Sequence, residues 1–319
     1  MKALSSFVLA FIVVFVAGGA CAALAPGDYT ISLDHQKLRR SYVVHVPPQA
    51  KAGRALPVVL AFHGGGSNAE VMRSYTRMDL SADRDGYIAV YPNGSSGFQG
   101  RFLTWNAGKC CGPAVALQVD DVSFSLKVLD DLAARVRIDT KRVYATGLSN
   151  GAMMAYRLAA EASDRIAAVA GVAGAMSLSE FAPTRPMPLL HIHSTSDHIA
   201  RYDGGFGPPA AIADTRMFHT GVEEMLEKWI SRNGCLREPA VLETNAGAAG
   251  SPDAEHTVIR RVYRPCLDGV EVVLLQLGGG VGHVWPGGVR NYMPELLGTG
   301  TAVIDANTEI WRFVSRYRR

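Results

Sequence analysis

Val143-Tyr144-Ala145-Thr146-Gly147-Leu148-Ser149-Asn150-Gly151-Ala152-Met153-Met154 reads as a short buried strand, a G-x-S-x-G turn and the start of a small-residue helix. That is the sequence form of a nucleophile elbow. Such a turn is sharp and holds its serine in a strained backbone conformation. Gly147 and Gly151 lack a Cβ, so strand and helix can close around Ser149. The hydroxyl is then presented above a sheet at a helix N-terminus, where backbone N–H groups and the helix dipole favour developing negative charge.

Outward from the elbow, apolar runs recur at 57–62, 87–91, 166–172 and 189–193. Continuous apolar runs of this length suit strands buried on both faces. Residues 28–33 and 41–46 read as an opening strand pair, and 258–263 and 270–277 as late strands. Between them lie helical patterns. Asp120-Asp121 open a helix with Val122, Leu126, Leu129, Ala133 and Val136 at spacings of three and four, the acids suiting its first turn. Residues 221–232 and 304–317 read as two more. Alternating strands and helices predict an α/β fold, a mostly parallel central sheet with helices on both faces. No internal repeat, linker or appended second domain is visible, so residues 24–319 are expected to form one domain.

Composition narrows the function classes. With 319 residues, 48% apolar and 19% charged, the chain has ample material for a large core. A net charge of +3 without a long basic run argues against a nucleic-acid partner. Lys2, the apolar run from Phe7 to Val16 and the small residues Gly18 to Ala23 form a secretory signal pattern, residues 1–23. The run is short for a membrane span of ~20 residues. Cleavage after Ala22 or Ala23 is expected, with a secreted or periplasmic product and no stable membrane association. In the alternative, Cys21 is the acylated first residue of a lipoprotein; Gly18 then stands where such signals usually carry leucine. After cleavage four cysteines remain in an oxidising compartment. Cys235, following a predicted helix, and Cys266, ending a strand-like run, are expected to pair. For the adjacent Cys110 and Cys111 a vicinal disulfide and two free thiols are both open. The four lack CxxC spacing, so zinc is not expected.

A serine nucleophile needs a base and a group that orients the base. In α/β-hydrolases these follow in the order nucleophile, acid, histidine. Asp197, in His191-Ile192-His193-Ser194-Thr195-Ser196-Asp197, leaves a buried strand, where active-site groups collect in open α/β sheets. The competing reading is a turn aspartate, and Asp203 is the second candidate. His283 stands in the glycine-rich loop Gly278-Gly279-Gly280-Val281-Gly282-His283 after the last strand, placed to swing an imidazole over the serine. His191 and His193 alternate along one strand; with no third ligand evident, they read as core histidines beneath the site. The oxyanion hole needs two convergent N–H donors. Asn150 supplies one from its backbone, and the HGGG-type loop His63-Gly64-Gly65-Gly66 the other, from Gly65 or else Gly64 or Gly66.

The stretches Phe62-His63-Gly64-Gly65-Gly66-Ser67-Asn68-Ala69-Glu70, Trp105-Asn106-Ala107-Gly108, Val119-Asp120-Asp121-Val122, Gly147-Leu148-Ser149-Asn150-Gly151 and Gly282-His283-Val284-Trp285-Pro286-Gly287-Gly288 together resemble the polyhydroxybutyrate depolymerase family of secreted esterases, which includes feruloyl and acetylxylan esterases. The resemblance runs from about Asp28 to the C-terminus. It implies an α/β-hydrolase fold and a metal-independent, cofactor-free ester hydrolase whose triad falls on Ser149, Asp197 and His283. It also implies an ester substrate: a hydroxyalkanoate polyester or oligomer, a feruloylated polysaccharide or an acetylated sugar polymer. Depolymerases that attack solid polyester usually carry a separate polymer-binding domain, which points this chain toward soluble oligomers or aryl esters. His63, Trp105 and Trp285 are candidate substrate-binding residues, with core packing the competing role for both tryptophans. A catalytically silent binding protein on the same scaffold, and a peptidase, are the readings outside this class.

Overall fold

The strand Leu-Pro-Val-Val-Leu-Ala-Phe at 56–62 is buried along its whole length, and alternate side chains enter different cores. Val58, Leu60 and Phe62 join one hydrophobic cluster, whereas Val59 and Ala61 join another. A period of two does this in any strand covered on both faces. The computed structural model describes residues 24–52, 54–95, 100–210 and 213–319. The expected signal segment, residues 1–23, and with it Cys21, lie outside the described residues.

In chain order the strands are β1 (Gly27–His35), β2 (Leu38–Val46), β3 (Leu56–Phe62), β4 (Ile88–Pro92), β5 (Ile138–Leu148), β6 (Ala168–Val172), β7 (Leu189–Ser194), β8 (Gly205–Ala210), β9 (Ala213–His219), β10 (Ala240–Ala246), β11 (Thr257–Tyr263) and β12 (Val272–Gly278). The helices are α1 (Ala69–Thr76), α2 (Met78–Asp85), α3 (Gly112–Ala116), α4 (Asp121–Arg135), α5 (Asn150–Glu161), α6 (Val222–Asn233), α7 (Pro294–Leu297) and α8 (Ala306–Val314). Ten strands form one sheet in the order β1-β2-β4-β3-β5-β6-β7-β12-β11-β10, and β8 and β9 pair separately. From β4 through β12 every neighbouring pair is parallel. Antiparallel pairs close both edges.

The helices cover both faces. Apolar residues of α4, α5 and α6 enter the first core, including Val128, Met154 and Trp229. Those of α1, α2 and α8 enter the second, including Met72, Ala82 and Ile310. Side chains cap three of these helices: Asn68 accepts from Val71 N at 3.0 Å, Asp120 from Ser123 N at 2.9 Å and Asp305 from Thr308 N at 2.7 Å. Each satisfies an amide that the first turn leaves without an intrahelical partner. The α/β layering read from the sequence is therefore the observed one. The β8–β9 hairpin, β10, α1 and α2 had no counterpart in that reading.

Parallel pairing brings the carboxyl ends of β5, β6, β7 and β12 to one edge. Leu148 lies opposite Val172, Val172 opposite Ile192 and Ser194 opposite Leu277. Loops leaving these ends are where an open α/β sheet builds its sites.

Candidate active site

Ser149 follows β5 directly, with φ 58° and ψ −122°. A non-glycine residue there is strained, and such strain persists only where the surroundings enforce it. Enforcement comes from close backbone approach. A Cβ on Gly151 would overlap the Phe62 carbonyl oxygen, and one on Gly147 would sit 2.7 Å from the same atom. The Ser149 amide donates to Val172 O at 2.8 Å, and its carbonyl accepts from Met153 N at 3.1 Å. The elbow is thus pinned to β6 on one side and becomes the first turn of α5 on the other. Ser149 itself stays half-buried.

Asp197 and His283 meet in the loops after β7 and β12. His283 Nδ1 lies 2.7 Å from Asp197 Oδ2, and both residues are buried. Asp197 Oδ1 accepts from Ile199 N and Ala200 N, each at 2.9 Å. Burial alone would raise this carboxyl. The facing His283 and the hydrogen bonds from His193 and His283 overcome that and hold it well below the usual carboxylate range. A carboxylate at Nδ1 puts the ring proton there and leaves Nε2 as the basic nitrogen. The His283 loop is fastened by its own amide to Leu297 O at 2.6 Å and by the Ser194 hydroxyl to Val281 O at 2.5 Å. Among the described residues no hydrogen bond joins Ser149 Oγ to His283. In unliganded enzymes that contact is often long and tightens only with substrate present.

N–H groups of two segments stand next to the serine. Among the described residues the amides of Asn150, Gly64 and Gly65 make no hydrogen bond, whereas that of Gly66 is spent on Leu103 O at 2.9 Å. A Cβ on Gly65 would come 3.6 Å from Asn150 Cβ, so the two residues face each other closely. The Asn150 side chain takes no part in the hole. Its Oδ1 accepts from Trp105 N at 2.8 Å and its Nδ2 donates to Trp105 O at 3.1 Å.

Comparison with known proteins gives this arrangement its context. The family model described as esterase PHB depolymerase matches residues 40–212. The protein NocK of Nocardia uniformis subsp. tsuyamanensis, named as an esterase, is 34% identical over 271 residues, 81% of this chain and 74% of that one. The chain belongs to the esterase PHB depolymerase family. It is, by that membership, an ester hydrolase. Feruloyl esterase B of Piromyces equi is 27% identical over 249 residues; the match spans 76% of this chain and only 42% of that protein. A solved structure described as a thermostable esterase superposes with a TM-score of 0.54 at 14% identity, covering 92% of this chain and 63% of that one, which shows the fold.

Within this esterase the candidate substrate-binding residues are buried, and for both tryptophans that is the packing role held open from the sequence. Trp105 is 0% exposed, Trp285 2% and His63 0%. Their polar edges are already engaged. Trp105 Nε1 donates to His63 O at 2.9 Å and Trp285 Nε1 to Asn307 Oδ1 at 3.1 Å. His63 Nδ1 donates to Gly64 O at 2.8 Å, while its Nε2 accepts from Gly94 N at 2.9 Å. Burial pushes its pKa down to about 4, so the ring is neutral in that one tautomer. All three residues are buried, with their ring nitrogens engaged by protein partners. Asp203, the second acid candidate, is exposed and takes no part in the Asp197–His283 pair.

Sequence reasoning missed Asp121. Read as a helix-start acid, it is fully buried, pairs with Arg40 at 2.8 Å and accepts from Asn106 N at 2.8 Å. Its neighbour Asp120 is the actual cap. No signal in the sequence separates two adjacent acids, because only the non-local partner Arg40 decides which turns inward. The disulfide Cys235–Cys266 forms as expected, and Cys110 and Cys111 are joined to each other. Asp28, His45 and Asp79 bring ligand atoms close together, but Arg73 pairs with both aspartates and supplies the positive charge there.

Proposed function

We propose that this esterase works through Ser149 as nucleophile, His283 as base and Asp197 as the acid that orients it. His283 Nε2 takes the hydroxyl proton as Ser149 Oγ attacks the ester carbonyl. The N–H groups of Asn150 and Gly65 receive the oxyanion. The imidazolium then protonates the leaving alkoxide, and an acyl-enzyme remains. Water, deprotonated by the same nitrogen, attacks the acyl carbon, and collapse returns the serine and frees the acid. Asp197 stabilises the imidazolium without accepting its proton. The observation that carries this reading is the 2.7 Å Asp197–His283 hydrogen bond, made at the sheet edge where the strained serine emerges.

For substrate we infer a hydroxyalkanoate ester, acted on by one domain from residue 24 to 319. The family description supports it. A feruloylated polysaccharide is the second reading, supported by the named activity of the Piromyces equi relative. An extracytoplasmic location fits the N-terminal sequence and the Cys235–Cys266 disulfide. Among the described residues no helix is long and apolar enough to cross a membrane.

The test uses purified protein and Ser149→Ala with p-nitrophenyl butyrate, methyl ferulate and a hydroxybutyrate trimer. The variant should fold and lose turnover on all three, by on the order of a millionfold in kcat. Wild-type-like turnover in it would remove Ser149 from the mechanism. A wild type that prefers methyl ferulate over the trimer would replace the hydroxyalkanoate assignment with the feruloyl one.

A further inference from the structure

Behind the Asp197–His283 pair runs a line of buried groups that the hydrolytic steps do not use. The Tyr156 hydroxyl, on the elbow helix α5, is 2.6 Å from His191 Nδ1. His191 Nε2 is 3.0 Å from His193 Nδ1. His193 Nε2 is 2.7 Å from Ala200 O and 3.3 Å from Asp197 Oδ2. Tyr156 and His191 are 0% exposed and His193 1%.

With one ring hydrogen on each histidine, the hydrogen-bond order has one solution. Ala200 O only accepts, so His193 Nε2 carries its hydrogen. His193 Nδ1 must then accept, which makes His191 Nε2 a donor and His191 Nδ1 an acceptor, and Tyr156 donates its hydroxyl hydrogen. Burial pushes His191 well below the ordinary imidazole range and Tyr156 well above the ordinary phenol range, so the far end does not ionise. The line also has a slot made for it. On β6, a Cβ at Gly171 would overlap the Tyr156 hydroxyl oxygen.

At the near end the line completes the shell of the acid. Asp197 Oδ1 has two backbone donors, and Oδ2 has His283 Nδ1 and His193 Nε2. Among the described residues His193 is the one side chain besides His283 within ion-pair distance of this carboxylate. Because the same N–H also holds Ala200 O, His193 grips both ends of the turn that carries Asp197.

We propose that His193, held in a single tautomer by His191 and Tyr156, is a positioning residue for the acid: it locks the Asp197 turn and couples it to the helix that presents Ser149. The inference rests on the triad reading above. Other titratable groups face the pair. His219 lies at the end of β9, its pKa lowered by burial and then by the charge of His283 against the pull of Asp197, and Tyr202 sets its ring 5.9 Å from that of His193. Both remain in every variant compared.

The experiment measures kcat and KM for p-nitrophenyl butyrate as a function of pH, per active site titrated with a fluorophosphonate. The variants are His193→Leu, His193→Gln, Tyr156→Phe and Ser149→Ala. His193→Leu should lose on the order of tenfold to hundredfold in kcat with KM little changed, as expected for a misplaced catalytic group. Its acid limb should move to higher pH, because a carboxylate that has lost a donor holds the protonated base more tightly. His193→Gln, which can put an N–H near the Nε2 position, should restore most of both. Tyr156→Phe should shift both in the same direction by less. If His193→Leu and Tyr156→Phe only lower Tm and keep wild-type kcat and pH limb per active site, the proposal is overturned. With Ser149→Ala inactive in that case, the triad reading stands. Turnover by Ser149→Ala would overturn both together.

Discussion

At the scale of single residues, what this site needs is displaced from what a chain adopts freely. Ser149 holds φ 58°, and the strain is bearable only because Gly147 and Gly151 let β5, α5 and the Phe62 carbonyl approach one another. A G-x-S-x-G spacing declares that requirement openly, and so Ser149 is the most legible residue of the chain. Its partners were legible by order and by position after strands. For the second oxyanion donor Gly65 is the first choice from sequence with Gly64 and Gly66 open beside it, and the Gly66–Leu103 bond removes Gly66 from the choice. His63 is the opposite case. A histidine at the mouth of a glycine loop invites a substrate-binding role, yet both its nitrogens are engaged by backbone and its pKa is pushed down to about 4. The sign of the linkage follows. The folded state favours the neutral ring, and an unfolded histidine titrates near 6.5, so its contribution is fully present above about pH 6.5 and fades as pH falls toward about 4. The full difference is roughly 3 kcal/mol. His63→Gln lacks this titration. Urea midpoints of wild type and variant should therefore converge as the pH is lowered through that window. A gap that stays constant would mean that His63 is not held neutral.

At the scale of elements, the buried parallel strands were readable from composition, because β3, β4, β6 and β7 are buried along their whole length and read as mostly apolar runs. What was not readable lies where period and composition disagree with placement. β10 reads Ala-Val-Leu-Glu-Thr-Asn-Ala, with Val241 and Leu242 both exposed at the sheet edge, so its alternation carries no inside–outside signal. The helices α1 and α2 are eight residues each and meet at Arg77, a left-handed residue that ends one and begins the next. So short a helix owes its stability to docking more than to propensity. The same edge explains the use of Cys235–Cys266. The bridge ties the residue after the glycine cap of α6 to the segment leaving β11, closing 31 residues of chain that contain the exposed β10. In the chain-entropy account, a loop of that length is worth about 3–4 kcal/mol. Cys235→Ser/Cys266→Ser should lower the urea midpoint accordingly at unchanged kcat, since neither cysteine approaches the catalytic loops. Loss of kcat at full folding would instead place the bridge in control of the site.

At the scale of the whole molecule, three segments distant in sequence converge behind the oxyanion loop, and one buried ion pair joins them. Arg40 comes from β2, Asp121 from the start of α4, and Asn106 from the loop that presents Trp105 to Asn150. Arg40 Nη2 also donates to Asn93 O at 3.0 Å, its guanidinium carbon lies 3.8 Å above the Phe124 ring, and Arg157 of α5 donates to Asn106 O at 2.6 Å. The sheet edge, one covering helix and the elbow helix are thereby referred to a single point. No local pattern announces such a hub, because its partners are 81 residues apart. Among the described residues Arg40 Nε and Nη1 are buried without a hydrogen-bond partner, so the guanidinium relies heavily on Asp121 and on the aromatic ring. Desolvating both charges costs much of what their attraction returns, whereas leaving one alone costs about 3–5 kcal/mol. The consequence is a sharply non-additive cycle. Asp121→Asn should destabilise by that amount and depress kcat by loosening Trp105 and, through it, the Asn150 side chain. Arg40→Met/Asp121→Leu should recover most of the stability, since no charge is left stranded, but not the kcat, since Asn106 still lacks its acceptor. Stability that falls additively in the double variant would show that each residue acts through separate packing and that the pair does not join the segments.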